Sequence, residues 1–200
     1  MEGSAGKIIC SERGVTMYYA ACFGDSLIQG FPFGARHSWT AAAESVGRMR
    51  LLNYGLCGDC CDDILLRLKN TMLPEYVKYI IFLGGANDLL QMRPQRFILE
   101  DLTKTCTWCE EHGYQLCIVL PLISSEPELN VHLEALKQAI QEHFAERVKL
   151  LDLQPALGLT QKERKQSYLD GVHPTAAAYK AMGLYAEPLL EEWLRSSTDK

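Results

Sequence analysis

The sequence predicts an α/β fold in which helices cover both faces of a parallel sheet. Five short apolar runs are separated by longer segments in which apolar residues recur every three or four positions. The runs are apolar almost throughout, which is typical of strands that are covered on both faces. Strands that alternate with helices form right-handed βαβ units. We therefore predict a three-layer α/β/α sandwich around a five-stranded parallel sheet.

The elements follow from these two patterns. The predicted strands cover residues 17–24, 49–55, 79–85, 115–122 and 148–153. The predicted helices cover residues 59–69, 95–112 and 127–145, with a last helix that begins near Thr175. Proline has no backbone N–H and clashes with the preceding turn, so we expect Pro188 to end this last helix before "LLEEWL".

The composition is that of one globular domain. The chain has 200 residues, of which 48% are hydrophobic and 22% are charged. A net charge of −5 gives no electrostatic reason to expect nucleic acid or an anionic membrane as partner. No stretch approaches the roughly 20 apolar residues of a membrane span. We expect residues 17–200 to form a single domain and residues 1–16 to be an N-terminal extension of poor order, without a secretory signal.

The eight cysteines leave two interpretations open. Several of them, such as Cys22 and Cys117, lie inside apolar runs, which favours reduced core thiols and a cytoplasmic location. However, Cys57 with Cys60 and Cys106 with Cys109 form two CxxC pairs, which could bind zinc or act as a redox dithiol. The long separation of the pairs argues against a zinc ribbon.

Small polar residues collect where three predicted strands end. These segments are "GDS" at 24–26, "NYGLCGD" at 53–59 and "GGAND" at 84–88. Open α/β sheets bind ligands beyond the carboxyl ends of their strands. Taken singly, each segment is also typical of an ordinary turn or helix cap.

A fourth segment favours catalysis. The sequence "YLDGVHPTAAAY" places Asp170 and His173 three residues apart, just before a helix. A serine that attacks a carbonyl group needs a base to take its proton, and the base needs a carboxylate to orient and stabilise it. An Asp-x-x-His turn can supply both groups. The alternative is that Asp170 caps the helix and His173 is an ordinary surface residue.

The four segments taken together resemble the sequence blocks of the SGNH hydrolases, also called GDSL-type esterases and lipases. The matching residues are "FGDSLIQG", "NYGLCGD", "GGAND" and "DGVHP". The resemblance implies a flavodoxin-like sandwich. No G-x-S-x-G motif occurs, and Ser26 lies near the N-terminus, which argues against an α/β-hydrolase.

The resemblance also implies a role for each matching residue. Ser26 would be the nucleophile, His173 the general base and Asp170 the group that orients it. The backbone N–H groups of Ser26 and Gly58 and the side-chain amide of Asn87 would form the oxyanion hole. This chemistry requires neither a metal ion nor an organic cofactor. In one departure from the family pattern, Cys60 and Cys61 stand where small hydroxyl residues are frequent. We expect these thiols to make activity reversibly sensitive to mild oxidants.

The predicted function is hydrolysis of carboxylic esters, with small or short acyl groups, through an acyl-enzyme intermediate. Within the same family, a lysophospholipase or thioesterase and a carbohydrate O-deacetylase remain alternatives. From other classes, the alternatives are a zinc-binding or redox protein that uses the cysteines, and a non-catalytic binding module. The sequence leaves the oligomeric state open.

Apolar residues that flank the four segments are the candidate substrate contacts. They are Ile28, Phe31, Phe33, Ile123 and Val172. Leu89 and Leu90 are instead expected in the core. The loop at 121–127 is short and predicts no large lid, so small esters are favoured over triglyceride droplets.

Overall fold

The computed structural model describes residues 7–10 and 15–196, and a six-stranded sheet forms their centre. The strands are β1 (Lys7–Cys10), β2 (Val15–Gly24), β3 (Met49–Gly55), β4 (Tyr79–Leu83), β5 (Gln115–Val119) and β6 (Lys149–Leu151). The helices are α1 (Ser26–Gln29), α2 (Trp39–Glu44), α3 (Cys61–Asn70), α4 (Ala86–Leu90), α5 (Gln95–Glu111), α6 (Pro127–Phe144), α7 (Gln161–Ser167) and α8 (Ala176–Ser196). Short 3₁₀ turns occur at Ala35–His37 and Gln154–Ala156.

The predicted five-stranded parallel sheet is confirmed. Strands β3, β2, β4, β5 and β6 lie side by side in that order, and every pair among them is parallel. Counted along the chain, this is the 2-1-3-4-5 strand order of flavodoxin-like folds. The order reverses at β2, where ligands bind in such sheets.

Strand β1 is an addition to the predicted sheet. It pairs antiparallel with the first half of β2. It belongs to the segment 1–16, for which the sequence predicts an extension of poor order, and residues 1–6 and 11–14 of that segment lie outside the described residues.

The sheet separates two hydrophobic cores, and successive residues of β2 point to opposite ones. Ala20 and Cys22 face a core formed with α2 and α8, whereas Ala21 and Phe23 face a core formed with α3, α5 and α6. Because side chains alternate across a strand, covering both faces requires a continuous apolar run. This explains the unbroken hydrophobicity that predicts the sheet.

The predicted break at Pro188 is wrong, since α8 continues through it to Ser196. Pro188 itself is exposed, but Leu190, Trp193 and Leu194 beyond it are buried in the core. Burial of such side chains stabilises by about 1.5–3 kcal/mol each, which together exceeds the roughly 3 kcal/mol cost of one internal proline. No helix in the described part of the chain is long and apolar enough to cross a membrane.

Candidate active site

Ser26 lies at the junction of β2 and α1, where only glycine fits the preceding turn. A Cβ atom at Gly24 would lie 2.4 Å from Cγ1 of Ile28 and 2.6 Å from the carbonyl oxygen of Leu83. Asp25 caps α1 by accepting a hydrogen bond from the N–H of Leu27 at 2.9 Å. This close packing fixes Ser26 as the first residue of α1 at the carboxyl edge of the sheet.

His173 reaches Ser26 from the far end of the sequence. Its Nε2 atom lies 3.0 Å from Oγ of Ser26, and its Nδ1 atom lies 2.7 Å from Oδ2 of Asp170. The second oxygen of Asp170 accepts hydrogen bonds from the backbone N–H groups of His173 at 2.8 Å and Val172 at 3.1 Å. The structure thus brings the three side chains into one hydrogen-bonded chain. Such a chain can move the serine proton onto the imidazole.

The Asp170 carboxylate is held ionised. Desolvation acts to raise its pKa, but hydrogen bonds from the backbone and the ring of His173, and from the N–H of Val172, outweigh it and lower the pKa. A carboxylate that is charged at neutral pH stabilises the positive imidazolium formed when His173 takes a proton.

Asp25 has the opposite environment. It is buried, and desolvation raises its pKa to about 6, against the N–H of Leu27 and the nearby His173, which lower it. Asp88, which is also buried, adds to the rise. The side chain of Asp88 accepts hydrogen bonds from the N–H of Cys61 at 3.0 Å and from Arg93 at 2.7 Å, so it braces α3 and α4.

The turn that carries His173 is held by the loop after β5. The carbonyl oxygen of Gly171 accepts a hydrogen bond from the N–H of Ser125 at 2.9 Å, and the Tyr168 hydroxyl donates to the carbonyl oxygen of Ile123 at 2.9 Å. Gly171 has a φ of +94°, and a Cβ atom there would lie 2.5 Å from the Glu126 carboxylate. The position therefore requires glycine.

Of the two remaining predicted donors, Gly58 lies on the loop after β3 and Asn87 lies in α4. Gly58 has a φ of +86° with open space around it, and its N–H has no acceptor among the described residues. The Asn87 side-chain amide donates one hydrogen bond, to the carbonyl oxygen of Asp59 at 2.9 Å. An amide NH₂ group has two hydrogens, so the second is available to a ligand.

The predicted substrate contacts divide into two groups. Phe31 and Phe33 are exposed, and the Phe31 ring centroid lies 4.7 Å from that of His173. Val172, which precedes His173 in the sequence, lines a cleft of about 510 Å³ whose lining does not include His173 or Ser26. The prediction is wrong for Ile28, which has no accessible surface because its side chain packs under the turn at Gly24. Ile123 is also buried, and its backbone rather than its side chain faces the polar network.

The prediction that Leu90 belongs to the core is wrong. It is 52% exposed and lines the same cleft as Val172, whereas Leu89 packs partly buried against the core as expected. The other residues of the cleft are Glu126, Pro127, Glu128, Leu129 and Val172.

The cysteine pairs do not form a common site. Cys106 and Cys109 are buried in the core under α5, and Cys57 is exposed on the loop after β3. In the described chain, one group of His, Cys, Asp or Glu residues has ligand atoms close enough for a metal, and it contains a single cysteine: Cys60, Asp62 and Asp88. Arg93 forms ion pairs with both of these aspartates.

The structure does not support the predicted sensitivity of activity to oxidation of Cys60 and Cys61. Both thiols are buried, and desolvation followed by the charge of Asp88 raises the pKa of Cys60 to about 11. Burial raises the pKa of Cys61 as well. Because the thiolate is the reactive form, neither side chain is primed for oxidation at neutral pH.

Two polar residues behind the site have contacts that the sequence analysis does not predict. Arg67 donates hydrogen bonds to backbone oxygens at the ends of β2 and β3, and Asn53 donates to the carbonyl oxygen of Ile28. The sequence does show that Asn53 lies within a predicted strand and Arg67 among the apolar residues of a predicted helix. These positions indicate that the two side chains are buried, but they do not indicate which groups the side chains contact.

Comparison with known proteins gives the family. The sequence matches the model of the GDSL-like lipase/acylhydrolase family over residues 22–181. The chain belongs to this family. It is therefore a hydrolase, with the ester-cleaving activity that defines the family. No curated protein sequence matches it.

Solved structures of GDSL proteins share the fold. A member of the lipolytic protein G-D-S-L family from Veillonella parvula has a TM-score of 0.76 at 22% identity, covering 86% of this chain and 98% of that one. A lipase/acylhydrolase from Enterococcus faecalis has a TM-score of 0.73 at 21% identity, covering 88% and 97%. The acetylxylan esterase Axe2 from Geobacillus stearothermophilus has a TM-score of 0.69 at 14% identity, covering 83% and 90%.

Proposed function

We propose that this chain hydrolyses carboxylic esters with small acyl groups through an acyl-enzyme intermediate. The observation that carries the proposal is the hydrogen-bonded chain from Ser26 through His173 to Asp170, with distances of 3.0 Å and 2.7 Å. Both distances are those of ordinary hydrogen bonds, so no rearrangement is needed for proton transfer.

In the first half of the reaction, Oγ of Ser26 attacks the ester carbonyl carbon while Nε2 of His173 takes its proton. Negative charge develops on the former carbonyl oxygen, where the N–H groups of Ser26, Gly58 and Asn87 stabilise it. Loss of one such donor typically lowers the rate by about 10²–10³. The tetrahedral intermediate collapses, His173 gives its proton to the leaving alcohol, and Ser26 is left acylated.

The second half repeats these roles with water. His173 takes a proton from a water molecule, the resulting hydroxide attacks the acyl carbon, and the same donors stabilise the second oxyanion. Collapse releases the carboxylic acid and returns the proton to Ser26. Asp170 stays ionised throughout and stabilises the imidazolium in both halves.

The surroundings of the site favour small or polar esters. Phe31 offers aromatic surface beside His173, Phe33 is exposed on the same loop as Phe31, and the cleft lined by Val172 combines apolar Leu90 with Glu126. We further propose that residues 17–200 act as one hydrolase domain, to which the strand Lys7–Cys10 adds an edge. The free cysteines among the described residues support our proposal of a cytoplasmic location.

A second candidate is removal of acetyl groups from a carbohydrate. It is favoured because Ile28 is buried, which leaves aromatic Phe31 beside His173 and the acidic Glu126 and Glu128 in the cleft lined by Val172. Such side chains suit a sugar better than they suit a long acyl chain. The fold likeness to an acetylxylan esterase is consistent with this candidate but carries no substrate information at 14% identity.

An ester series tests the proposal. Wild-type protein and Ser26→Ala are assayed with nitrophenyl esters from acetate to laurate and with an acetylated xylo-oligosaccharide. We expect the highest kcat/KM on short chains and a loss of at least about 10³ in kcat for the variant.

The outcomes of this series separate the candidates. A kcat/KM for the acetylated sugar well above that for nitrophenyl acetate selects the deacetylase. A maximum at laurate rejects the small-acyl assignment. A Ser26→Ala variant as active as the wild type rejects the mechanism altogether.

A further inference from the structure

Arg67 binds the ends of two strands and one loop around the candidate active site. Its Nη2 atom donates to the carbonyl oxygen of Gly24 at 2.8 Å, and its Nε atom donates to that of Tyr54 at 3.1 Å. Its Nη1 atom forms an ion pair with the carboxylate of Asp59. The side chain is only 23% exposed, although Arg67 lies on α3.

Two of the three partners lie close in sequence to groups that the proposed reaction uses. Gly24 comes two residues before Ser26, and Asp59 directly follows Gly58. The N–H of Leu56 donates to the same carbonyl oxygen of Gly24 at 3.0 Å, which joins the two loops directly.

The loop from Leu56 to Asp59 has few other attachments. The N–H of Cys57 donates to the side chain of Gln29 at 2.8 Å, and Asn87 donates to the carbonyl oxygen of Asp59. The loop is otherwise exposed at Leu56, Cys57 and Gly58. A glycine in a left-handed conformation on an exposed loop is free to move unless neighbouring residues hold it. Arg67 holds this loop through its ion pair with Asp59, on the side of the loop that faces away from solvent.

The guanidinium group is suited to this task because its five N–H donors are held in one rigid plane. A lysine also has three donors, but all of them belong to one nitrogen on a flexible stem, so they cannot span acceptors that lie as far apart as these. Each strand-end carbonyl oxygen can accept two hydrogen bonds, and Arg67 gives that of Gly24 a second donor beside the N–H of Leu56.

We propose that Arg67 is a positioning residue that fixes the N–H of Gly58 relative to the hydroxyl of Ser26. The inference rests on the proposed function, since it concerns the oxyanion hole of that mechanism. An oxyanion hole lowers the barrier only when its donors are already aimed at the developing charge. Arg67 therefore acts on the transition state and has little effect on binding of the uncharged ester.

The test compares Arg67→Met with the wild type on nitrophenyl acetate. We expect kcat to fall by about 10- to 100-fold, less than for outright loss of a donor, with KM within about twofold. Affinity for an aryl trifluoromethyl ketone, which forms a tetrahedral adduct with the serine, should fall by the same factor as kcat/KM. Affinity for the matching methyl ketone, which is not activated toward adduct formation, should change by less than about twofold. A purely structural role would not separate the two ketones.

Two matched variants complete the experiment. Arg147→Met removes an arginine that pairs with Glu110 at the opposite end of the sheet, and we expect it to leave kcat unchanged. Asp59→Asn keeps Arg67 and both carbonyl contacts but removes the charged contact to the loop, and we expect a smaller fall in kcat, by about 5- to 10-fold. If Arg67→Met fails to fold, Asp59→Asn tests the inference in its place.

The inference is overturned if Arg67→Met and Asp59→Asn keep kcat within about twofold of the wild type. It is also overturned if the two ketones weaken equally. Neither result touches the proposed function, which stands or falls with Ser26→Ala.

Discussion

At the scale of single residues, two carboxyl groups near one histidine have opposite pKa shifts. Asp170 is partly exposed, and its hydrogen bonds from His173 and Val172 lower its pKa, whereas burial raises the pKa of Asp25 to about 6. Because both residues are aspartates, the difference comes from their surroundings, namely the burial of Asp25 and the hydrogen-bond donors around Asp170. It supports the proposed role of Asp170 in stabilising positive charge on His173, whereas Asp25 caps α1.

The Asp25 shift predicts a pH-dependent stability. The folded state holds the Asp25 proton up to pH about 6, whereas the unfolded chain releases it near pH 4. The folded state therefore binds more protons in this window, and the contribution of Asp25 to the free energy of unfolding falls as pH rises through it. Asp25→Asn stays neutral and keeps an oxygen that can accept the Leu27 N–H. We expect its stability relative to the wild type to increase by about 2–3 kcal/mol between pH 4 and pH 7.

Urea unfolding of both proteins at several pH values measures this difference. A stability difference that stays constant from pH 4 to pH 7 would show that Asp25 titrates normally. A difference that changes in the opposite direction would show that its carboxylate is stabilised in the folded protein.

At the scale of elements, the sequence predicts the long helices and strands and misses the short ones. Helices α5 and α6 carry several turns of apolar periodicity, so their predicted bounds agree with the structure within two residues. Helix α1 has four residues and α4 has five, too few to show a period, so the sequence pattern there indicates loops. These short helices nevertheless contain Ser26 and Asn87.

Helix α8 provides a prediction at this scale. Pro188 lies inside it and is exposed, so the helix carries an interior proline without a packing gain from that side chain. We expect Pro188→Ala to raise the free energy of unfolding by about 1–3 kcal/mol, because it restores a helical hydrogen bond and removes a clash. Guanidinium unfolding measures the change, and kcat on nitrophenyl acetate serves as the control, which should not change.

The opposite result is also informative. Reduced stability in Pro188→Ala would mean that the proline fits the helix without strain and stabilises by restricting the unfolded chain.

At the scale of the whole molecule, the strand order produces the site. Because β2 lies between β3 and β4, the loops that follow these strands meet at one edge, and the turn after α7 brings His173 to the same edge. The sequence predicts this convergence, since it depends on parallel strands and polar residues at their ends. It does not predict side-chain direction, which is why it misplaces Ile28 in the cleft and misses the three contacts of Arg67. Both depend on packing between segments far apart in the sequence.

The central claim is that Ser26 is a nucleophile activated by His173, and covalent labelling tests it most directly. Wild-type protein and His173→Ala are treated with an alkyl fluorophosphonate, and the modified peptide is located by mass spectrometry. We expect one adduct per chain on Ser26 in the wild type and labelling slowed by at least about 10³ in the variant. An adduct on another residue, or equal labelling of the two proteins, would contradict this claim.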